Sequence, residues 1–259
     1  MTSIAERPRP VETREKLGLD VLRFGPLRRL LLSRLYPGLF QAISLVVFAA
    51  IIGFAFWGPP MGDDNLAVAL TWRLWWLVLP FSFVLLGRFW CAVCPVGATV
   101  DLVSSRLPWG RRSPGAFIQK QGPWIMVGLY LVLFWAGMLW HVCCWPQATA
   151  LWLLGFIGTA LGLALVYERR VWCRYLCPVA AFGGLYSMMA PLQLRAQPSS
   201  CRQLCLPQRR GWLRQERQNC PFFELPMTLS SNQNCNLCAR CLKNCQVGAL
   251  RWELRPPAE

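Results

Sequence analysis

The sequence predicts an all-α polytopic membrane domain of four transmembrane helices arranged as two hairpin repeats, followed by a small cysteine-rich tail. Three observations predict it. Four apolar runs each approach the roughly 20 residues needed to cross a hydrocarbon core, a Cys-Pro phrase recurs after each pair of runs, and cysteines crowd towards the end of the chain.

Composition narrows the class first. A hydrophobic content of 55%, with 14 Trp and 14 Phe in 259 residues, is heavy for a soluble protein. The net charge of +15 is compatible with nucleic acid, but basic residues that flank apolar runs report membrane orientation more simply. No nucleic-acid partner is expected. Most of the 13 cysteines fall into tight spacings that suit metal or cluster binding better than disulfides. His141 is the single histidine, which excludes a bis-histidine haem as principal cofactor.

Residues 1–35 form a basic N-terminal segment, too long and polar for the n-region of a cleavable signal peptide. Residues 36–194 read as the membrane domain. Leu39 to Trp57 carries no charge and is long enough to span. The second span is placed at Trp72 to Trp90, with Arg73 and neighbouring Trp side chains at one interface, Arg88 and Trp90 at the other, and Pro80 as a kink. Trp124 to Trp145 and Thr149 to Tyr167 give spans three and four, joined by so short a turn that they run antiparallel. Val179 to Leu194 is uncharged but short and broken by Gly183, Gly184 and Pro191, and reads as interfacial.

The connections Gly58 to Thr71 and Pro146 to Ala148 contain no Lys or Arg, whereas the other loops and both ends are basic. The positive-inside rule then expects both termini and the Cys91 to Pro123 loop in the cytoplasm of a bacterial inner membrane. Each hairpin ends in a related phrase: Arg88-Phe-Trp-Cys-Ala-Val-Cys-Pro-Val-Gly-Ala and Arg170-Val-Trp-Cys-Arg-Tyr-Leu-Cys-Pro-Val-Ala-Ala. The membrane domain therefore reads as two parallel copies of hairpin plus motif.

In these phrases Cys91, Cys94, Cys173 and Cys177 are the candidate metal ligands. Proline fits the first turn of a helix, so Cys94 and Cys177 are expected at helix N-termini, where free amides and the dipole favour a thiolate. Two copies packed face to face bring four sulfurs to one metal centre; the alternatives are a pair of redox dithiols or structural corners.

Residues 195–259 hold the most specific motif, Cys235-x-x-Cys238-x-x-Cys241-x-x-x-Cys245. Three thiolates so spaced wrap three corners of a 4Fe-4S cubane, and in such a run the fourth cysteine ordinarily serves a second cluster. The open corner needs a remote Cys-Pro, which Cys220-Pro221 supplies, and the tail is read as ferredoxin-like. Cys245 would then join Cys201 and Cys205, but that half has no third nearby cysteine. Two readings stay open: a second cluster with a non-cysteine or borrowed ligand, or one cluster alone. His141, Cys143 and Cys144 lie together at the other end of the third helix, where a copper or acceptor-side site competes with plain helix packing.

With these motifs placed, the chain from about Leu39 onward resembles the NapH/NosR-type membrane polyferredoxins. The resemblance rests on Trp90-Cys-Ala-Val-Cys-Pro-Val-Gly, Trp172-Cys-Arg-Tyr-Leu-Cys-Pro-Val, Cys220-Pro-Phe-Phe-Glu-Leu-Pro-Met-Thr and the Cys235 run. It implies respiratory electron transfer from a cytoplasmic donor or the quinol pool towards a respiratory or periplasmic redox partner, with quinone as a further possible partner. Gln246 stands where the ferredoxin run has proline, and no flavin is expected. Two other readings compete: a metal-handling or assembly factor resembling the CcoG-like copper reductases, and a redox sensor. No residue reads as a substrate-binding catalyst, so the expectation is an electron-carrier subunit ahead of a stand-alone enzyme.

Overall fold

The computed structural model describes residues 19–106, 112–168, 170–196, 220–226, 229, 231–245 and 249–254. Cys201 and Cys205 lie outside the described residues.

After a short helix α1 (Gly25–Leu32), four helices among the described residues are long and apolar enough to cross a membrane: α2 (Gly38–Trp57), α3 (Leu66–Leu86), and, further on, two of 24 and 21 residues. Twenty residues rise about 30 Å, the thickness of a hydrocarbon core. Their outward faces are apolar and exposed, with Val46, Phe81, Leu131 and Trp135 each more than half accessible. That is the pattern of helices solvated by lipid.

The second span begins earlier than its Trp72 expectation. Asn65 explains the start: it is buried, accepts from the Ala67 amide at 2.9 Å, and donates to the carbonyls of Phe54 and Pro59. This side-chain cap both opens α3 and ties it to the end of α2. The helix stops at Gly87, whose φ of +62° suits glycine. Arg88 therefore lies past the helix end and is 2% exposed, where an interfacial side chain was expected.

The chain continues through α4 (Phe89–Val93), α5 (Pro95–Arg106), α6 (Ala116–Leu139), α7 (Pro146–Val166), a π-helical turn (Trp172–Leu176) and α8 (Pro178–Ser187). Helix α6 begins and ends several residues before the expected third span, whereas α7 begins three residues and ends one residue before the expected fourth. Pro146 starts α7 at a helical position that needs no N–H. At one end of the molecule the turn after α2 meets the turn after α6, and a Cβ on Gly62 would lie 2.1 Å from the Cys144 carbonyl. Small side chains, Ala55, Ala67 and Ala150, let α2, α3 and α7 approach closely near that end.

At the opposite end the packing crosses over. Helix α5 lies against α7 and α2, and α8 lies against α3 and α6. Gln41 and Ser44 of α2 donate to the carbonyls of Ala92 and Val93, filling acceptors that the short α4 leaves open.

The described tail is not all-α. Strands β1 (Leu19–Asp20), β2 (Leu192–Ala196) and β3 (Leu250–Leu254) form an antiparallel sheet in the order β1-β3-β2, with Leu194 opposite Trp252. The segment expected as interfacial thus divides into α8 and an edge strand. Leu194, Leu250 and Trp252 close one core with Leu31, Tyr36, Leu237 and Leu242, so the tail docks on the segment leading into α2. Tyr36 Oη donates to the Leu237 carbonyl at 2.7 Å, and Lys243 Nζ donates to the Tyr36 carbonyl.

Candidate functional site: two cysteine constellations joined by arginines

The two Cys-Pro corners have the expected local form. Cys94 and Cys177 are extended, as residues before proline are, and Pro95 and Pro178 open α5 and α8. Burial pushes the Cys94 thiol up, while the first-turn amides of Gly97 and Val96 pull it back. Burial likewise pushes Cys177 up to about 12, with the Cys94 charge adding and the amides of Ala180 and Val179 opposing. Cys173 is raised well above the thiol range by burial, opposed by Arg170 and reinforced by Cys177, Cys94 and Cys91. Cys91 and Cys177 pack against the same buried cluster as Cys173, so the two motifs come together. Buried thiols of this kind become thiolates when a cationic centre replaces their protons.

Four tail cysteines also meet. Cys220, Cys235, Cys238 and Cys241 line one cavity, together with Asn236, Arg240 and Trp252. Burial holds the Cys235 thiol up at about 12, with Cys238 and Cys220 adding repulsion and Arg88 opposing it. The loop is bent to fit: Leu237, Ala239 and Phe223 are three of the four non-glycine residues with positive φ among the described residues. Such conformations persist where packing over-determines them, commonly at sites. A short helix α9 (Arg240–Asn244) carries Cys241 into the cavity wall, while Cys245 packs against the apolar core and is not among the lining residues.

The donor set fits an iron–sulfur cluster. Glu224, the carboxylate in the wall, is engaged by Arg174 at 2.5 Å, which leaves thiols as the donors facing inward. The Asn236 side-chain N–H is buried with no protein partner, a donor available to a bound sulfide or thiolate. Among the described residues no three thiol, imidazole or carboxylate groups sit tightly enough to hold a single metal ion. Donor chemistry, and not a preformed mononuclear cage, carries this fit.

Two buried arginines connect the constellations; from sequence Arg170 has no role and Arg88 reads as an interfacial anchor. Arg170 donates to the Cys91 carbonyl at 2.7 Å and grips Asp101 through Nε and Nη2 at 3.0 and 2.9 Å. Arg240, from the tail cavity, reaches the same carboxylate at 2.5 Å. Arg88 donates to the Cys173 carbonyl at 3.3 Å and to the tail carbonyl of Gln233 at 2.8 Å, and stacks over Phe222. Signals for both were present: each arginine stands three residues before the first cysteine of its phrase, and Asp101 is the only acid between Asp64 and Glu168.

Room for Arg170 is made by Gly97, where a Cβ would come within 2.8 Å of Nη1. The guanidinium is held by three hydrogen bonds and cannot step aside cheaply. Gly97→Ala is expected to destabilise the protein by about 1–3 kcal/mol, the usual cost of overpacking, read as a lower midpoint for thermal unfolding in detergent.

His141, Cys143 and Cys144 lie far from these centres, in the turn that meets Gly62. Cys143 and Cys144 are exposed, with their sulfurs 3.5 Å apart.

A family model described as a 4Fe-4S binding domain matches the chain twice, at residues 68–116 and 149–193, and each match contains one Cys-Pro corner. These two stretches are similar to 4Fe-4S binding domains. Among curated relatives, the putative electron transport protein YccM of Escherichia coli (strain K12) is 30% identical over 106 residues, 39% of this chain and 26% of YccM. The methylamine utilization ferredoxin-type protein MauN of Paracoccus denitrificans is 28% identical over 161 residues, 55% of this chain and 52% of MauN. MauN of Methylorubrum extorquens is 28% identical over 138 residues, 46% and 45% of the two chains. The chain thus spans between about a quarter and about half the length of these relatives. No solved structure matches it.

Proposed function

We propose that this protein is a membrane-bound electron carrier with one 4Fe-4S cluster on Cys220, Cys235, Cys238 and Cys241 and a second on Cys91, Cys94, Cys173 and Cys177. The convergence of the four tail cysteines on one cavity carries the reading. The polyferredoxin-like match and the electron-transport and ferredoxin-type names of the relatives support it. Two hairpin-plus-motif repeats would make the membrane domain, and the tail would dock on its cytoplasmic face, since the turn between α2 and α3 and that between α6 and α7 lack Lys and Arg.

Such clusters supply one-electron redox chemistry when bound. The chain's residues do the rest. The cysteines bind, burial among Phe222, Trp172 and Val100 excludes water, and Arg88, Arg170 and Arg240 place positive charge where a more negative reduced state would sit. Donor and acceptor would be redox proteins or a quinone at the membrane, with electrons entering from the cytoplasmic side.

Anaerobic purification with iron and sulfide analysis, and electron paramagnetic resonance of the dithionite-reduced protein, tests the reading. The wild type is expected to show a reducible cubane signal that Cys238→Ala removes. A native sample with no such signal would defeat it.

A further inference from the structure

Beyond binding the clusters, the two cysteine constellations are tied together by an exchange between the halves of the membrane domain. The arginine three residues before Cys91 holds the carbonyl of Cys173, and the arginine three residues before Cys173 holds the carbonyl of Cys91. Both are fully buried, at 2% and 1% exposure. Each also reaches the tail, but by a different route. Seven residues after Cys94 stands Asp101, which relays Arg170 to Arg240. Seven residues after Cys177 stands Gly184, which packs beside Gln233, whose carbonyl receives Arg88. The Nε of Arg88 has no protein partner, although it is buried between Cys173 and the Cys235 loop.

An arginine fork suits this place because it makes two hydrogen bonds in fixed directions and keeps its charge when buried. A lysine in the same position keeps the charge and loses the fork. Two such charges against the backbone of opposing ligand cysteines do two jobs. They lock the motifs face to face, and they bias both centres towards the more negative, reduced state.

We propose that Arg88 and Arg170 form a reciprocal clamp that holds the two Cys-Pro motifs as one cage and sets the potential of the centre bound there, coupling it to the tail. They are positioning residues, and the proposal rests on the two-cluster reading above. In potentiometric titrations of the anaerobically purified holoprotein followed by electron paramagnetic resonance, Arg88→Gln and Arg170→Gln are each expected to move the boundary centre to a more negative potential. Lysine at either position is expected to restore most of the potential. Arg73→Gln removes an equal charge at the opposite end, from an exposed pair with Asp63, and should move neither centre. Boundary potentials unchanged in both glutamine variants, with the signal retained, would overturn the proposal.

A second measurement needs no cluster. In the iron-free protein a short bifunctional thiol reagent is expected to join Cys94 to Cys177, so that fragments cut between residues 106 and 170 stay linked. The double glutamine variant should lose about tenfold in yield, the fold-change of one charge-assisted hydrogen bond. Equal yields would overturn the clamp. A wild type with only the tail signal would instead defeat the boundary-cluster reading, and cross-linking would then decide the clamp alone.

Discussion

Asp101→Ala is expected to destabilise the protein by about 3–5 kcal/mol, the cost of breaking a buried ion pair by removing one partner. Among the described residues its carboxylate is the only acid paired with Arg170, whose guanidinium is 1% exposed and has no water to turn to. The same substitution frees Arg240, which is more than a third exposed and loses little. The large effect therefore belongs to Arg170. Adding Arg170→Met should recover much of the loss, because an apolar side chain in that space leaves no unpaired charge, and the two changes should be far from additive. Thermal unfolding in detergent of the two single variants and the double reads this directly.

The same triad gives a pH dependence of known sign. Burial alone would raise the Asp101 carboxyl, but Arg170 and then Arg240 hold it below the ordinary carboxylate range. The folded value is depressed, so the stabilisation is present above the unfolded value of about 3.9 and is lost as pH falls through the lowered folded value. At neutral pH the triad is intact.

Which features could be read from sequence follows from their physics. Apolar runs found the four spans because the bilayer demands length and absence of charge, and those properties are local. Cysteine spacing singled out Cys220, Cys235, Cys238 and Cys241, which line one cavity, because proline after cysteine and a three-fold Cys-x-x repeat are local too. Span ends were misplaced where a long-range contact decided them. Arg88 reads as an interfacial anchor until Gly87 turns it inward onto Cys173 and Gln233. Asn65 reads as loop until its side chain is seen to cap α3. The sheet was missed because Leu192–Ala196 pairs with a segment more than 50 residues later, and so short an alternation looks like the end of an amphipathic turn. The arginine exchange was written twice in the repeated phrase, yet its meaning needs both copies in space.

Replacing Cys94 and Cys177 together by serine is expected to remove the boundary centre entirely, lowering bound iron by roughly half if two cubanes are present, while the tail signal persists. Serine is the informative choice. Both cysteines stand immediately before a helix-opening proline, and serine is a favoured N-cap, so α5 and α8 keep their starts while the soft ligand is lost. The tail cavity shares no lining cysteine with the corners, and the arginine hydrogen bonds that tie the two together run to backbone carbonyls that the serine substitutions leave in place. Cys238→Ala is the converse, removing the tail signal and sparing the corners. Iron content and spectra unchanged in the double serine variant would mean that the converging corner thiols bind no centre, and the electron path would have to leave the tail by another surface.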